Sequence, residues 1–247
     1  MTKLLTIASL IVIFAFAAFA QPAGTKPTVP APAVSAADTA AKELAKAVLA
    51  AHGGDKLKGL KTLILRGGMD TNAFNQVVPG SFAMIFSGEK YRIDLNNPFQ
   101  PIKQIFDGKD TLTLTPSSFK LPPLDRVGFY ILGKIGDATY PITALPDTAK
   151  GKKGFRMTTP DGRATDFYVD EKTKQVKGYD ASFEFMGGQS ATTSVEIDKY
   201  RTIDGVMIPE KFAQRFDLGQ IVVYADFKAK EIFVNSEVTA DVFTMDK

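Results

Sequence analysis

Apolar and polar residues alternate with a period of two along most of the chain after residue 61. The clearest case is a pair of segments, residues 81–87 and 91–95, which the alternation predicts to be neighbouring strands. Because residues that lie opposite one another share a face, a four-residue loop of residues 87–90 between Phe86 and Tyr91 fixes which side chains meet. The loop predicts one face of three apolar pairs, Phe86 with Tyr91, Met84 with Ile93 and Phe82 with Leu95, and an opposite face that carries Arg92 and Asp94.

The same alternation recurs down the chain between turn signals such as Asp107-Gly108 and Asp204-Gly205. It predicts ten or eleven strands, most of them joined as antiparallel hairpins. Strands and helices do not alternate in units of about 30 residues, which argues against a parallel doubly wound sheet. The predicted fold class is therefore mainly β (α+β), an unclosed antiparallel β-barrel or strongly curved sheet.

Two segments break the alternation and predict helices. Residues 38–51 have a period of 3.6, with Asp38 as the expected N-cap and two glycines after His52. Residues 122–140 crowd apolar side chains onto nearly every side of a turn, among them Leu124, Tyr130 and Ile131. A segment of this composition must be buried against something, so we predict one or two short helices inserted midway through the sheet.

The N-terminal residues differ in composition from the rest. Residues 4–18 are apolar, and Ala18-Phe19-Ala20 places small residues where a signal peptidase reads them, so residues 1–20 are predicted to be a signal peptide that is cleaved on export. Residues 21–37 are rich in proline and alanine and are predicted to be an extended tether. Residues 38–247 are then expected to form a single β domain.

Composition excludes several classes of chemistry. The chain has 247 residues, no cysteine and one histidine, so we expect neither a metal nor another cofactor. Residues 128–134 match the start of a P-loop, but Ile135 stands where the loop needs a serine or threonine, which argues against ATP. Without Lys3 in the signal peptide the net charge is +2, too balanced to imply a nucleic-acid partner.

His52 is the candidate general base, but the sequence offers no hydroxyl partner for it. We interpret it as structural, with a positively charged ring favoured at the negative end of the helix. A hydrolase is the weakest of the functional interpretations, because no nucleophile and base are identifiable, and the chain is predicted not to be an enzyme.

The apolar excess on the strands allows two interpretations. The chain has 19 phenylalanines and no tryptophan, and 16 of the phenylalanines lie after the predicted signal peptide. A large sheet that only short helices cover can hold a hydrophobic cavity with those helices as a lid. The same residues can instead simply fill a core. Periodicity does not separate these alternatives.

Four short stretches resemble the bacterial periplasmic lipoprotein-carrier superfamily (LolA/LolB-like). Residues 88–93 (GEKYRI) are similar to its turn into an aromatic strand, and residues 106–109 (FDGK) with Thr111–Leu114 are similar to one of its hairpins. Residues 200–209 (YRTIDGVMIP) and 234–238 (VNSEV), with Phe243 after them, resemble uncharacterised exported members. Carriers place an arginine just before the first of these turns, where this chain has Ser87.

The resemblance implies a periplasmic carrier or chaperone, monomeric and without enzymatic activity, that holds the acyl chains of lipoproteins or lipids in transit. On this interpretation the apolar face of the first hairpin lines the cavity and the mid-chain insert covers it. The alternative is a cell-envelope interaction module with a filled core, whose partner is another envelope protein. The expected ligand-binding residues are Phe82, Met84, Phe86, Tyr91, Ile93 and Leu95 in the lining and Leu124, Tyr130 and Ile131 in the lid.

Overall fold

The structure is a computed structural model that describes residues 35–73, 76–98, 101–115, 128–149, 151–185, 189–217 and 222–244. The predicted signal peptide, most of the predicted tether and the predicted lid residue Leu124 lie outside the described residues. Within them, no helix is long and apolar enough to cross a membrane.

Twelve strands form one antiparallel sheet that is not closed, which confirms the predicted fold class. The order across the sheet is β5-β4-β3-β2-β1-β12-β11-β10-β9-β8-β7-β6. Sequence alternation predicted eleven of these strands, and the exception, β6, has two residues and is too short to alternate. The bounds are β1 Thr62–Ala73, β2 Gln76–Ser87, β3 Lys90–Asn96, β4 Ile102–Phe106, β5 Thr111–Leu114, β6 Ile142–Thr143, β7 Gly154–Thr158, β8 Ala164–Val169, β9 Val176–Phe185, β10 Gln189–Ile203, β11 Val206–Asp217 and β12 Val222–Val234.

The register of the β2–β3 hairpin is the predicted one. Phe86 lies opposite Tyr91, and the two pairs that follow it are also as expected. On the other face Arg92 Nε donates to Asp94 Oδ2 at 2.7 Å, and Arg92 Nη1 donates to the carbonyl oxygen of Val242 at 3.3 Å. The loop length and the alternation of the two strands were therefore sufficient to predict the register of this hairpin.

The helix α1, Ala36–Ala51, starts three residues earlier than a helix capped by Asp38 would. Asp38 is not its N-cap: the Ser35 side chain accepts the Asp38 N–H at 3.0 Å, and Ser35 is the cap. The Asp38 carboxylate instead accepts the N–H of Ala144 at 2.9 Å, and this hydrogen bond lowers the pKa of Asp38. One carboxylate thus ties the start of α1 to the segment after β6.

A second short helix, α2, spans Asp55–Lys58.

The mid-chain insert forms a 3-10 helix, Gly128–Lys134, which we call the inserted helix. The chain builds one arm of the sheet from β1 out to β5, and it builds the other arm from β6 back to β12. The connection between β5 and β6 must therefore join opposite edges of the sheet. The inserted helix belongs to this connection and packs on the inner face, where Phe129, Ile131 and Leu132 are buried.

The sheet curves around the inserted helix. Gly128 contacts Tyr179 on β9, while Tyr130, two residues later, stacks on Phe86 of β2. In a flat sheet these strands, five steps apart, would be roughly 24 Å from one another. A 3-10 helix rises only about 2 Å per residue, so the two arms must bend toward each other to reach the same turn. The β1–β12 register shifts between Arg66 and Gly67, and such a bulge bends a strand.

A second, smaller cluster covers part of the outer face. The C-terminal 3-10 helix, Ala240–Phe243, places Phe243 against Ile64, Ile85 and Ile105 of the first arm. Residues of β1, β2 and β4 that point away from the main core are thereby shielded from water.

Candidate functional site

The six predicted lining residues all face the interior of the sheet and are buried, with exposed fractions of 9% or less. Met84 and Phe86 line an internal cavity, together with Leu65 of the neighbouring strand β1. The other four, Phe82, Tyr91, Ile93 and Leu95, belong to the main hydrophobic core but not to the wall of this cavity.

The cavity is small, with a volume of about 50 Å³. A water molecule in the liquid takes about 30 Å³, so this space is far below what a long acyl chain fills. Most of its wall comes from residues that the sequence did not single out, on β9, β10, β11 and the inserted helix. The lining residues are Leu65, Met84, Phe86, Phe129, Tyr130, Tyr179, Thr193, Val195, Ile197, Pro209, Phe212 and Gln214.

The polar groups in this wall are neutral and have partners. Gln214 Nε2 donates to Thr193 Oγ1 at 2.9 Å, and both side chains are buried. Burial raises the pKa of Tyr179 and of Tyr130, so both hydroxyls keep their protons at neutral pH. The Tyr130 hydroxyl lies 4.0 Å from the Met84 sulfur. The interior thus offers apolar surface and satisfied dipoles, which suits hydrocarbon rather than a charged ligand.

The first predicted lid residue, Tyr130, covers the cavity directly. Its ring stacks on Phe86 with 3.7 Å between centroids and an interplanar angle of 28°. The second, Ile131, is 1% exposed and packs into the main core without lining the cavity. Of the two, only Tyr130 therefore occupies a position from which its movement would open the interior.

Gly128 fixes where the inserted helix begins. Its φ of +68° is one that side chains rarely adopt, and a Cβ there would lie 2.2 Å from Tyr179 Cζ. Its N–H donates to Thr165 Oγ1 at 3.3 Å. The position requires glycine for both reasons, and it holds the next two side chains, Phe129 and Tyr130, over the cavity.

A second pocket lies on the other side of the inserted helix, between it and α2. Its volume is about 450 Å³, and Phe129 and Tyr130 line it as they line the internal cavity. These two side chains are therefore a partition between the surface pocket and the interior. No pattern in the sequence predicts this pocket, because it exists only where α2 and the inserted helix meet.

His52 is fully buried and its two ring nitrogens have backbone partners. Nδ1 lies 2.9 Å from the carbonyl oxygen of Val48, and the Val176 N–H points at Nε2 over 3.5 Å. Because one nitrogen must donate and the other accept, the neutral Nδ1–H tautomer fits both contacts. Burial lowers the pKa of His52. The expectation of a charged ring at the helix end is therefore wrong, since the loss of hydration outweighs attraction to the carbonyls.

This arrangement predicts a loss of stability in mild acid. Since the folded state lowers the pKa of His52, the unfolded chain binds a proton more readily, and the free energy of unfolding should fall as pH drops below about 6.5. The contribution is at most about 1.4 kcal/mol per pH unit. Denaturant unfolding at pH 7 and pH 5 should show a smaller difference for His52→Gln than for the parent chain. Equal differences would contradict the prediction.

No family model matches the sequence, and no curated protein matches it. Several solved structures are similar to this chain. The structure of a DUF1329 family protein from Desulfovibrio piger ATCC 29098 matches 85% of this chain and 98% of that chain, with 10% identity and a TM-score of 0.52. A domain from Vibrio parahaemolyticus assigned to outer membrane lipoprotein sorting covers 83% of this chain and 97% of its own, with 10% identity and a TM-score of 0.47.

A LolA superfamily protein from Nitrosomonas europaea covers 81% of this chain and 97% of its own, with 12% identity and a TM-score of 0.47. At these identities the likeness is one of fold, and it rests on the first of the three structures. The likeness to the DUF1329 family protein spans nearly the whole of that chain, so the two proteins share an overall fold.

Proposed function

We propose that this protein is a periplasmic, non-enzymatic carrier that binds the acyl chains of lipoproteins or lipids inside its curved sheet. One observation carries the proposal: the ring of Tyr130, which belongs to the inserted helix and not to the sheet, stacks on Phe86 and lines the apolar cavity beside Met84 and Phe86. The inserted helix is then the lid of this cavity.

The contacts between the inserted helix and the inner face suit a lid that moves. Tyr130 meets the sheet through ring stacking and through a weak hydrogen bond that its hydroxyl donates to the Met84 sulfur, and neither contact includes a charge that would hold the ring in place. Each methylene that leaves water gains about 0.8 kcal/mol. Half of a sixteen-carbon chain would gain roughly 6 kcal/mol, before the entropy of binding is subtracted. The net affinity is smaller than this gain, so an acyl chain can be taken up and then handed on.

Analysis of co-purifying lipid tests the proposal. The protein is purified after export, extracted with organic solvent and examined by mass spectrometry, and the delipidated protein is then titrated with a fluorescent sixteen-carbon fatty acid. Acyl lipids in the extract and saturable uptake of the probe are the expected results. An extract without acyl lipid, combined with no uptake by folded protein, would rule out the carrier.

The alternative, an envelope interaction module, is favoured by one surface feature. Val77 is 66% exposed and Tyr224 is 49% exposed, and they flank Asn72 from the strands on either side of it, so two exposed large side chains lie on either side of Asn72 on the outer face. If the protein takes up no lipid, this pair is the first place to look for a protein partner.

A further inference from the structure

The surface pocket beside the partition combines an apolar floor with a charged rim. Leu57 of α2 is buried in the floor beside Ile135, which follows the inserted helix, and Phe129 and Tyr130 form the inner wall. Lys58, Lys134 and Asp137 also line the pocket and are exposed to solvent. A pocket of this kind is amphipathic from floor to rim.

The two lysines are placed to meet an anion at the rim. Neither forms an ion pair with any residue that the structure describes. Lys58 reaches from α2 across to the turn after the inserted helix, where its Nζ would lie 3.7 Å from a Cβ on Gly136. Lys134 Nζ lies 6.0 Å from the centroid of the Tyr140 ring.

The carboxylate on the rim is hydrogen-bonded within its own loop, and the charge of Lys134 also attracts it. Asp137 accepts the N–H of Thr139 at 2.9 Å and its hydroxyl at 2.7 Å, and these hydrogen bonds lower the pKa of Asp137. Asp137 therefore stays ionised but is turned toward its own loop. The described rim keeps an excess of one positive charge, with two ammonium groups that have no bonded anion.

From this juxtaposition we propose that the pocket binds the anionic headgroup, a carboxylate or phosphate, of an amphiphile whose hydrocarbon tail passes the partition into the internal cavity. The inference rests on the proposed function and adds selectivity for charge to it. Tyr130 links the two parts, because the same ring walls the pocket on one side and the cavity on the other. The acyl cargo is thus a single-tailed or multi-tailed anion rather than a neutral lipid.

Two probes with the same tail and different heads test the inference. Dodecanoate and dodecanol are titrated against delipidated protein at pH 7.5 and low salt, with displacement of a fluorescent fatty acid as the readout. We expect dodecanoate to bind about tenfold more tightly, which corresponds to about 1.4 kcal/mol, because it can form exposed ion pairs with two lysines and dodecanol cannot. The double substitution Lys58→Gln and Lys134→Gln should remove this preference, so that dodecanoate and dodecanol bind the variant about equally.

The matched control replaces two lysines elsewhere, Lys109→Gln and Lys172→Gln, which are exposed and lie outside the pocket. This control should keep the tenfold preference. Equal binding of the two probes to the parent chain would overturn the headgroup site while leaving the carrier intact, whereas failure of both probes to bind would overturn the carrier itself.

Inorganic phosphate supplies the charge without the tail. It should not displace the fluorescent fatty acid at millimolar concentration, because it gains nothing from the cavity. Displacement by phosphate alone would show a site for free anions and would overturn the proposal of an amphiphile.

Discussion

Met84→Glu should abolish uptake of a sixteen-carbon fatty acid, with a loss of at least tenfold in affinity. Met84 is 6% exposed, lines the internal cavity and contacts the Tyr130 hydroxyl through its sulfur. A carboxyl group of similar length would stand among Leu65, Phe86 and Tyr130, where no described side chain carries a positive charge. It would bring water or an unpaired charge into the space that the acyl chain must fill, and either is unfavourable.

The same substitution should cost about 2–4 kcal/mol of stability, so uptake must be compared with a matched variant that keeps the fold. Val77→Glu places the same group on the same strand, but at an exposed position on the outer face. We expect it to change the free energy of unfolding by less than about 0.5 kcal/mol and to leave uptake unaltered. Met84→Gln, which adds polarity without charge, serves as a milder variant.

Circular dichroism and denaturant unfolding establish which variants are folded, and fluorescence titration measures their affinity for the fatty acid. Folded Met84→Glu that binds the probe as tightly as Val77→Glu would show that this face of β2 is not the binding surface.

The hairpin that carries Met84 was predictable because its determinants are local. A short loop between two strands with one buried face leaves a single register that keeps all three apolar pairs inside, and the structure has that register. The start of α1 was less determined, since serine and aspartate are both good N-caps and stand three residues apart at positions 35 and 38. The long-range contact of Asp38 with Ala144 has no signature in the sequence.

The far wall of the cavity could not be predicted for a different reason. Alternation shows that Val195 and Phe212 face inward, but it does not show that they share a cavity with Met84. That meeting depends on the curvature of a twelve-stranded sheet, which is the sum of twist and bulges over many strand pairs. The apolar composition of residues 122–140 predicted that this segment packs against the sheet. The position of the inserted helix on the sheet depends on the contact between Gly128 and Tyr179 of β9, which is remote in sequence.

Tyr130→Ala should increase the affinity of the protein for the sixteen-carbon fatty acid, the opposite of the effect expected for Met84→Glu. The Tyr130 ring fills the space between the surface pocket and the cavity, and it occupies the inner face where an acyl chain would lie against Phe86. A ligand that must displace this ring binds with an affinity reduced by the fraction of open molecules. Removing the ring joins the two spaces and ends that competition, so affinity for the fatty acid should rise several-fold.

The gain in affinity should come with a loss of stability. Truncating a fully buried aromatic residue costs about 3–5 kcal/mol, and the half-buried Tyr130 should cost less, about 1–3 kcal/mol. Saturating fatty acid should restore part of this loss, because a ligand that binds only the folded state stabilises it. Tyr224→Ala removes the same atoms from the outer face and should change neither quantity by much. Unfolding measured with and without fatty acid separates the outcomes: if Tyr130→Ala is destabilised but binds no better than Tyr224→Ala, the ring is part of a filled core and not a lid.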